Sequence, residues 1–179
     1  MDLKLNSFLG IEFGSSIIEA TEKMLKRDNI VLDDKNSNQD ILLFYGMKFA
    51  GRETLKTMLF FINDKFCKGV VYINPKFDSD ILSTYYIIQN DLNNKYFDSK
   101  HYEFYLDPYV KNDGYTEEGI ALGKVIFNSF WSFKNINGLN GNAIGLLITN
   151  ELEITITYEH GELTKELIEK INRKDFEDY

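Results

Sequence analysis

The chain has 179 residues, of which 44% are hydrophobic and 27% are charged, and its formal net charge is −8 at pH 7. A chain of this length and composition is expected to fold as one domain around a core that needs neither a metal nor a disulfide. The acidic balance and the interspersed charges argue against a nucleic-acid partner, and no apolar stretch is long enough to span a membrane.

The first predicted helix covers residues 17–27. Ser16 precedes it and Glu19 follows three positions later, which is the spacing of a capping box. Ala20 and Met24 recur at a helical interval and predict one buried side.

Three predicted strands and a second helix follow. Runs rich in β-branched and aromatic residues near 41–49, 57–62 and 66–73 are separated by turn residues and predict an antiparallel meander. Pro75 ends the third strand. The next helix has an apolar stripe made of Ile81, Tyr85, Ile88, Leu92 and Tyr96.

The second and third strands of this meander are apolar on both faces if a two-residue turn joins them. One face would carry Leu59, Phe61, Phe66, Val70 and Tyr72, and the other Met58, Phe60, Ile62, Cys67, Val71 and Ile73. Two apolar faces need cover on both sides, which we expect from helices on one side and from residues 98–123 or a partner on the other. The single cysteine, Cys67, is expected to be a buried, inert thiol.

Residues 98–123 show no clear period and are predicted as a long connection with at most one short strand. Four tyrosines lie in it among Asp and Asn residues: Tyr102, Tyr105, Tyr109 and Tyr115. Tyrosine offers a large contact area and has little side-chain entropy to lose, and such composition is typical of protein-binding loops. We therefore predict these four residues as a binding site. The alternative is that their rings cover the edge of the core.

A second meander is predicted after this connection. Alternation places Trp131, with Phe127 and Phe133, on an inward face, so Trp131 is expected in the core. The last two strands keep their apolar residues on one face if Ile148 lies opposite Leu152, which predicts a three-residue loop at 149–151. The chain then continues as a helix with four residues inward: Leu163, Leu167, Ile168 and Ile171.

These elements predict an α+β fold with two αβββ units, antiparallel meander sheets and a C-terminal helix. We expect a single domain over residues 1–179, with pseudo-repeat units at about 8–74 and 79–159 and a final helix at about 161–172. The prediction of a repeat rests on the similarity between residues 60–74, "FFINDKFCKGVVYIN", and residues 147–159, "LITNELEITITYE". Chance similarity between two amphipathic hairpins is the alternative explanation.

The segments "LGIEFGSS", "FFINDKF", "LGKVIFNSFWSF" and "ITITYEHGEL" carry a family resemblance over residues 8–172. The chain resembles the β-lactamase-inhibitory-protein-like fold, shared with the SmpA/OmlA lipoproteins, and is most similar to secreted proteins of Gram-negative gut anaerobes. The resemblance implies protein binding without catalysis. The chain departs from it by lacking a lipid-attachment cysteine at its start. We expect a cytoplasmic location as written, or a periplasmic or secreted one if a leader was removed.

No catalytic or metal-binding motif stands out. His101 and His160 are the only histidines, are too far apart in sequence for a zinc motif, and are expected to be ordinary surface residues. Four residues imitate the start of a calcium loop: Asp34, Asn36, Asn38 and Asp40. Gln39 stands where that loop needs glycine, so we interpret the segment as solvated, and no cofactor is predicted.

The sequence therefore predicts a non-catalytic module that binds another protein. The main alternative is an enzyme whose carboxylates meet between the two sheets. A third possibility is a structural component of the cell envelope. No reaction can be inferred from the residues for either alternative.

Overall fold

The computed structural model describes residues 4–134 and 141–177 of the chain. Within these ranges lie four α-helices, a short 3₁₀ helix and an antiparallel sheet of eight strands, accompanied by two two-stranded ribbons. The predicted α+β class is confirmed. None of the helices in these ranges is both long and apolar enough to cross a membrane.

The helices are α1 (Ile17–Leu25), α2 (Ile81–Lys95), α3 (Thr116–Ala121) and α4 (Gly161–Glu177), and the 3₁₀ helix is Asp78–Asp80. The strands are β1 (Ser7–Phe8), β2 (Ile11–Glu12), β3 (Val31–Leu32), β4 (Ile41–Tyr45), β5 (Lys48–Phe49), β6 (Arg52–Glu53), β7 (Lys56–Ile62), β8 (Lys65–Ile73), β9 (Lys100–Tyr105), β10 (Val125–Ser132), β11 (Ala143–Ile148) and β12 (Ile154–Glu159). The ribbons are β1–β2 and β5–β6, and the large sheet has the order β3-β4-β7-β8-β12-β11-β10-β9.

The two predicted meanders meet in the middle of the large sheet. The first is β4-β7-β8 and the second is β10-β11-β12, as the apolar runs predicted. β8 pairs with β12, with Val71 opposite Ile156, so the meanders form one continuous sheet. β3 extends the first meander at its outer edge, and β9 extends the second. The division into pseudo-repeat units stays a prediction.

α1 begins as its capping residues predict. The Glu19 N–H donates to the Ser16 hydroxyl, and the Glu19 carboxylate accepts a hydrogen bond from the Ser16 N–H at 2.9 Å. These two bonds satisfy backbone donors that the first turn leaves free. Ala20 and Met24 are fully buried, which confirms the predicted side of the helix.

The turn between β7 and β8 is anchored on both sides of the sheet. Asn63 and Asp64 both have positive φ, 50° and 59°, as a two-residue type I′ turn requires. Asp64 Oδ1 accepts a hydrogen bond from the N–H of Ile17 at 2.9 Å, at the start of α1. Asn63 Nδ2 donates to Glu166 Oε1 on α4 at 2.7 Å. The turn thus fixes both helices relative to the hairpin.

A β-bulge changes the predicted faces of β8. Phe61 lies opposite Phe66 but Phe60 lies opposite Lys68, so Cys67 is an extra residue on β8. The bulge reverses the alternation beyond it, and the predicted sides of Val70, Val71, Tyr72 and Ile73 were wrong. A bulge leaves no mark in an apolar pattern when the residues on both faces are apolar.

The β11–β12 loop is longer than predicted. Ile148 lies opposite Ile154, so the loop covers the five residues 149–153. Leu152 has a φ of 57°, and its N–H donates to the carbonyl of Thr149 at 3.1 Å, which places it in the turn. A register shift of two residues keeps every side chain on the same face, so alternation could not distinguish the two loops.

The main core lies on one face of the large sheet, which we call the inner face. Trp131 is fully buried there beside Phe127 and Phe133, as predicted. Its indole N–H donates to Asn93 Oδ1 at 3.1 Å and to the carbonyl of Phe97 at 2.8 Å. The predicted stripe of α2 is also confirmed: Ile81, Tyr85, Ile88 and Leu92 are buried, and Tyr96 packs against the core.

The opposite, outer face is covered over β7 and β8 by α4. The Thr164 hydroxyl donates to the carbonyl of Cys67 at 3.3 Å, and Lys170 pairs with Asp40 at 3.2 Å. Cys67 is fully buried there, and burial raises the pKa of its thiol to about 12. Both faces of these strands are therefore covered, as predicted. The cover on the outer face comes from α4 and not from residues 98–123.

Two residues of α4 are more exposed than predicted. Leu163 and Leu167 face the sheet and are half-buried, whereas Ile168 and Ile171 are 52% and 49% exposed. Ile168 lies about 100° further around the helix than Leu167, so it occupies a flank. α4 packs mainly on β7 and β8, and residues on its flank remain in contact with solvent.

Candidate functional site

The outer face of β9, β10 and β11 displays apolar side chains to solvent. They are Tyr102 (54% exposed), Phe104 (54%), Ile126 (43%), Phe130 (half-buried) and Leu147 (37%). We call these five residues the exposed sheet patch. Contiguous apolar surface of this kind is uncommon on soluble monomers and often marks an interaction site.

Strand register brings the members of the exposed sheet patch together. Phe104 lies directly opposite Ile126, and Tyr102 lies opposite Asn128 on the neighbouring strand. The ring of Tyr102 stacks on that of Phe130, with centroids 5.7 Å apart and planes inclined by only 6°. These contacts pre-order the rings, so little side-chain entropy would be lost when a partner binds.

The exposed sheet patch carries little charge. Among the outward positions of β9, β10 and β11, all of which the structure describes, Lys100 is the single charged residue. Its ammonium group lies 5.8 Å from the centroid of the Phe130 ring. This surface therefore differs from the rest of a chain whose formal net charge is −8.

The structure separates the four tyrosines predicted as a binding site. Tyr102 belongs to the exposed sheet patch, and Tyr115 is 60% exposed at the start of α3. Tyr105 is half-buried on the inner face, with its ring 6.3 Å from that of Phe127. Tyr109 is half-buried too. The segment that holds them is more ordered than predicted, because β9 is a six-residue strand paired with β10.

Four residues of the patch were not singled out by sequence reasoning: Phe104, Ile126, Phe130 and Leu147. A signal for two of them was present. In "VIFNSFWS" the inward residues alternate with Ile126 and Phe130, which are apolar residues at outward positions. Two of the four outward positions of β10 are thus apolar, the others being Asn128 and Ser132, and exposed apolar side chains indicate either a covering element or an interaction surface.

Behind β9, on the inner face, Glu103 is the centre of a polar cluster. Its carboxylate accepts hydrogen bonds from the Tyr86 hydroxyl at 2.6 Å, the Lys111 ammonium at 2.6 Å and His101 Nε2 at 3.2 Å. Burial opposes ionisation of this carboxyl group, but the three donors together outweigh it and lower its pKa to about 2. His101, expected on the surface, is a member of this cluster and its side chain is 27% exposed.

The cluster continues to Ser129, so that a serine, a histidine and a glutamate are linked in this order by hydrogen bonds. Ser129 Oγ lies 2.8 Å from His101 Nδ1. A hydrolase triad has the same order, and its serine must reach a substrate carbonyl. Ser129 is fully buried, and its Oγ also contacts the Tyr85 hydroxyl at 2.7 Å and Gln89 Nε2 at 2.8 Å. No substrate can reach this oxygen, so the network holds α2 against β9 and β10.

The calcium-like loop noted in the sequence has a structural explanation. The loop that imitates a calcium site uses Asn38 Oδ1 to accept the backbone N–H groups of Asp40 and Ile41, at 2.8 and 3.0 Å. In the described ranges, no three His, Cys, Asp or Glu side chains are grouped as metal ligands would be. The enzyme alternative expected carboxylates between two meander sheets, and the two meanders are halves of one continuous eight-stranded sheet.

Comparison with known proteins gives no relative for this chain: no family model, no curated protein and no solved structure matches it.

Proposed function

We propose that the chain is a non-catalytic protein-binding module and that the exposed sheet patch is its contact surface. The observation behind this proposal is the unequal cover of the outer face. α4 covers this face over β7 and β8, while the outward apolar residues of β9, β10 and β11 are exposed or half-buried. Burial of such side chains stabilises a complex by about 25 cal/mol for each Å² of apolar surface removed from water.

The dimensions of the exposed sheet patch suit the centre of a protein interface. Three neighbouring strands span about 10 Å, and the five residues from Ile126 to Phe130 span about 13 Å along the strand. Interface hot spots are compact, aromatic-rich clusters of this kind surrounded by a polar rim. The expected partner presents an apolar surface with few charges, because a charge buried against this patch would lose its hydration.

This proposal keeps two of the four tyrosines that were predicted as a binding site. Tyr102 is in the patch and Tyr115 is an exposed neighbour in sequence, so both are candidates for partner contact. Tyr105 and Tyr109 pack against the core, which favours a structural role for them. The resemblance to the β-lactamase-inhibitory-protein-like fold agrees with protein binding and stays a prediction, as does an envelope role.

A site-specific photo-crosslinker tests this proposal. It replaces Phe104 in one variant and Ile18 in a control. Ile18 is 67% exposed on α1, which packs on the inner face, so it is an equally accessible apolar position away from the patch. After irradiation in an extract of the native organism, we expect a discrete protein adduct at position 104 and none at position 18. The same adducts at both positions, or none at 104, would overturn the proposal.

A further inference from the structure

A second surface feature lies away from the exposed sheet patch, where the N-terminal segment meets the end of β10 and the start of α4. It is a cavity of about 230 Å³. Lys4, Lys134 and His160 all line it, and no Asp or Glu is among its described lining residues. In a chain with 28 acidic and 20 basic residues, three basic side chains around one small cavity are a marked local reversal of charge.

The polar wall of this cavity is fixed by hydrogen bonds. Asn142 donates through Nδ2 to the carbonyl of Leu5 at 2.5 Å and accepts through Oδ1 the N–H of Gly161 at 3.1 Å. The carbonyl of Asn142 accepts the N–H of Phe133 at 2.8 Å. One residue thus ties the N-terminal segment, β10 and α4 together. The cavity therefore has a preformed wall, which lowers the cost of ordering it around a ligand.

His160 lines the cavity, and the hydrogen bond that its ring makes elsewhere leaves one ring nitrogen as a donor. Its Nδ1 accepts the N–H of Leu163 at 3.3 Å, in the first turn of α4. Because Nδ1 is the acceptor, the neutral ring carries its proton on Nε2. The His160 ring also packs edge-on against Phe13, with centroids 5.7 Å apart, which holds it in place. The remaining ring nitrogen is thus an N–H group suited to an anion.

We propose that this cavity binds a small phosphate-type oxyanion. Lys4 and Lys134 supply ammonium groups, and His160 supplies a neutral N–H donor. Leu5 and Phe133 are apolar parts of the lining, and they suit an ester carrying a small apolar group. The adjoining recess includes Glu12, which repels the anion and confines it to the basic side. The volume is below the range usual for drug-sized ligands, so the ligand is compact.

The test measures binding of inorganic phosphate and of phenyl phosphate by isothermal titration, at constant ionic strength with chloride as the compensating anion. The protein is compared with the double variant Lys4→Gln/Lys134→Gln. Both lysines are exposed, so their replacement leaves the core intact. The control is Lys100→Gln, an exposed lysine on the outer face of the sheet.

We expect saturable one-to-one binding that weakens at least tenfold in the double variant and is unchanged in Lys100→Gln. Tighter binding of phenyl phosphate identifies an ester as the ligand class, and equal or tighter binding of inorganic phosphate identifies the free anion. Either result supports the proposed site, provided that the double variant loses the binding. Binding that is absent, or equal in all three proteins, would overturn the proposal. Neither outcome bears on the exposed sheet patch, which shares no residue with the cavity.

Discussion

The ring of Phe8 lies directly against the backbone of Gly69 in the middle of β8. A Cβ atom at position 69 would collide with three atoms of this ring. We therefore expect Gly69→Ala to lower the free energy of unfolding by about 1–3 kcal/mol, since overpacking forces neighbours to move. Urea denaturation measures this. The matched control is Gly145→Ala on β11, where the nearest atom to an added Cβ, on Thr157, is 3.8 Å away. Equal effects at the two glycines would contradict this account of the packing.

Trp131 is a core residue, and its removal should be costly. Trp131→Ala is expected to lower the free energy of unfolding by roughly 3–5 kcal/mol, because it leaves a large cavity. Trp131→Phe should cost less, since it keeps most of the volume and loses the bonds to Asn93 and Phe97. Chemical denaturation of the three proteins gives the comparison. A loss under ~1 kcal/mol for the alanine variant would show that the inward face is misassigned.

Glu103 should make stability depend on acid pH. Its pKa is about 2 in the folded chain against an ordinary value of 4.5, so its contribution is complete above pH 4.5 and is lost as the pH falls toward 2. Its side chain is only 16% exposed, and a pKa lowered from 4.5 to about 2 corresponds to about 3 kcal/mol at most. We expect Glu103→Gln to destabilise the chain at pH 7 and to converge with the unmodified chain near pH 2. An offset that is constant over this pH range would contradict the assignment.

Tyr109 and Tyr115 should behave differently although both were predicted as binding residues. Tyr109 packs beside Gly119 of α3 and its hydroxyl donates to Glu118 at 3.2 Å, whereas Tyr115 is 60% exposed. Tyr109→Ala is therefore expected to lower the melting temperature by several degrees, and Tyr115→Ala to leave it nearly unchanged. Thermal unfolding followed by circular dichroism measures both. Equal changes would show that burial does not separate these rings.

Most of the fold could be predicted because its signals are local. The capping box at Ser16 and Glu19, the stripe of α2 and the inward position of Trp131 depend only on spacing along the chain, and all three were confirmed. The register errors have a common physical origin. The bulge at Cys67 adds a residue within two-sided apolar strands, and the longer loop near Leu152 shifts β12 by two positions. Alternation is insensitive to both changes.

The candidate surface could be predicted only in part, because it depends on which elements become neighbours. Tyr102 was singled out from composition, but its stacking on Phe130 requires β9 to pair with β10. Ile168 was predicted to be buried because the sequence does not show that α4 meets the sheet along one side only. Whether an apolar residue is exposed depends on which elements pack against each face of the sheet. Local periodicity predicts its exposure only when that packing is known.

The most direct test of the central claim is the affinity of a partner captured at position 104 for three variants: Phe104→Ala, Tyr102→Ala and Ile18→Ala. Melting temperatures are measured in parallel. We expect each patch variant to weaken binding about tenfold or more, about 1.4 kcal/mol, while Ile18→Ala binds normally and all three melt close to the unmodified chain. Undiminished affinity in both patch variants, or a loss matched by Ile18→Ala, would contradict the assignment of the exposed sheet patch as the contact surface.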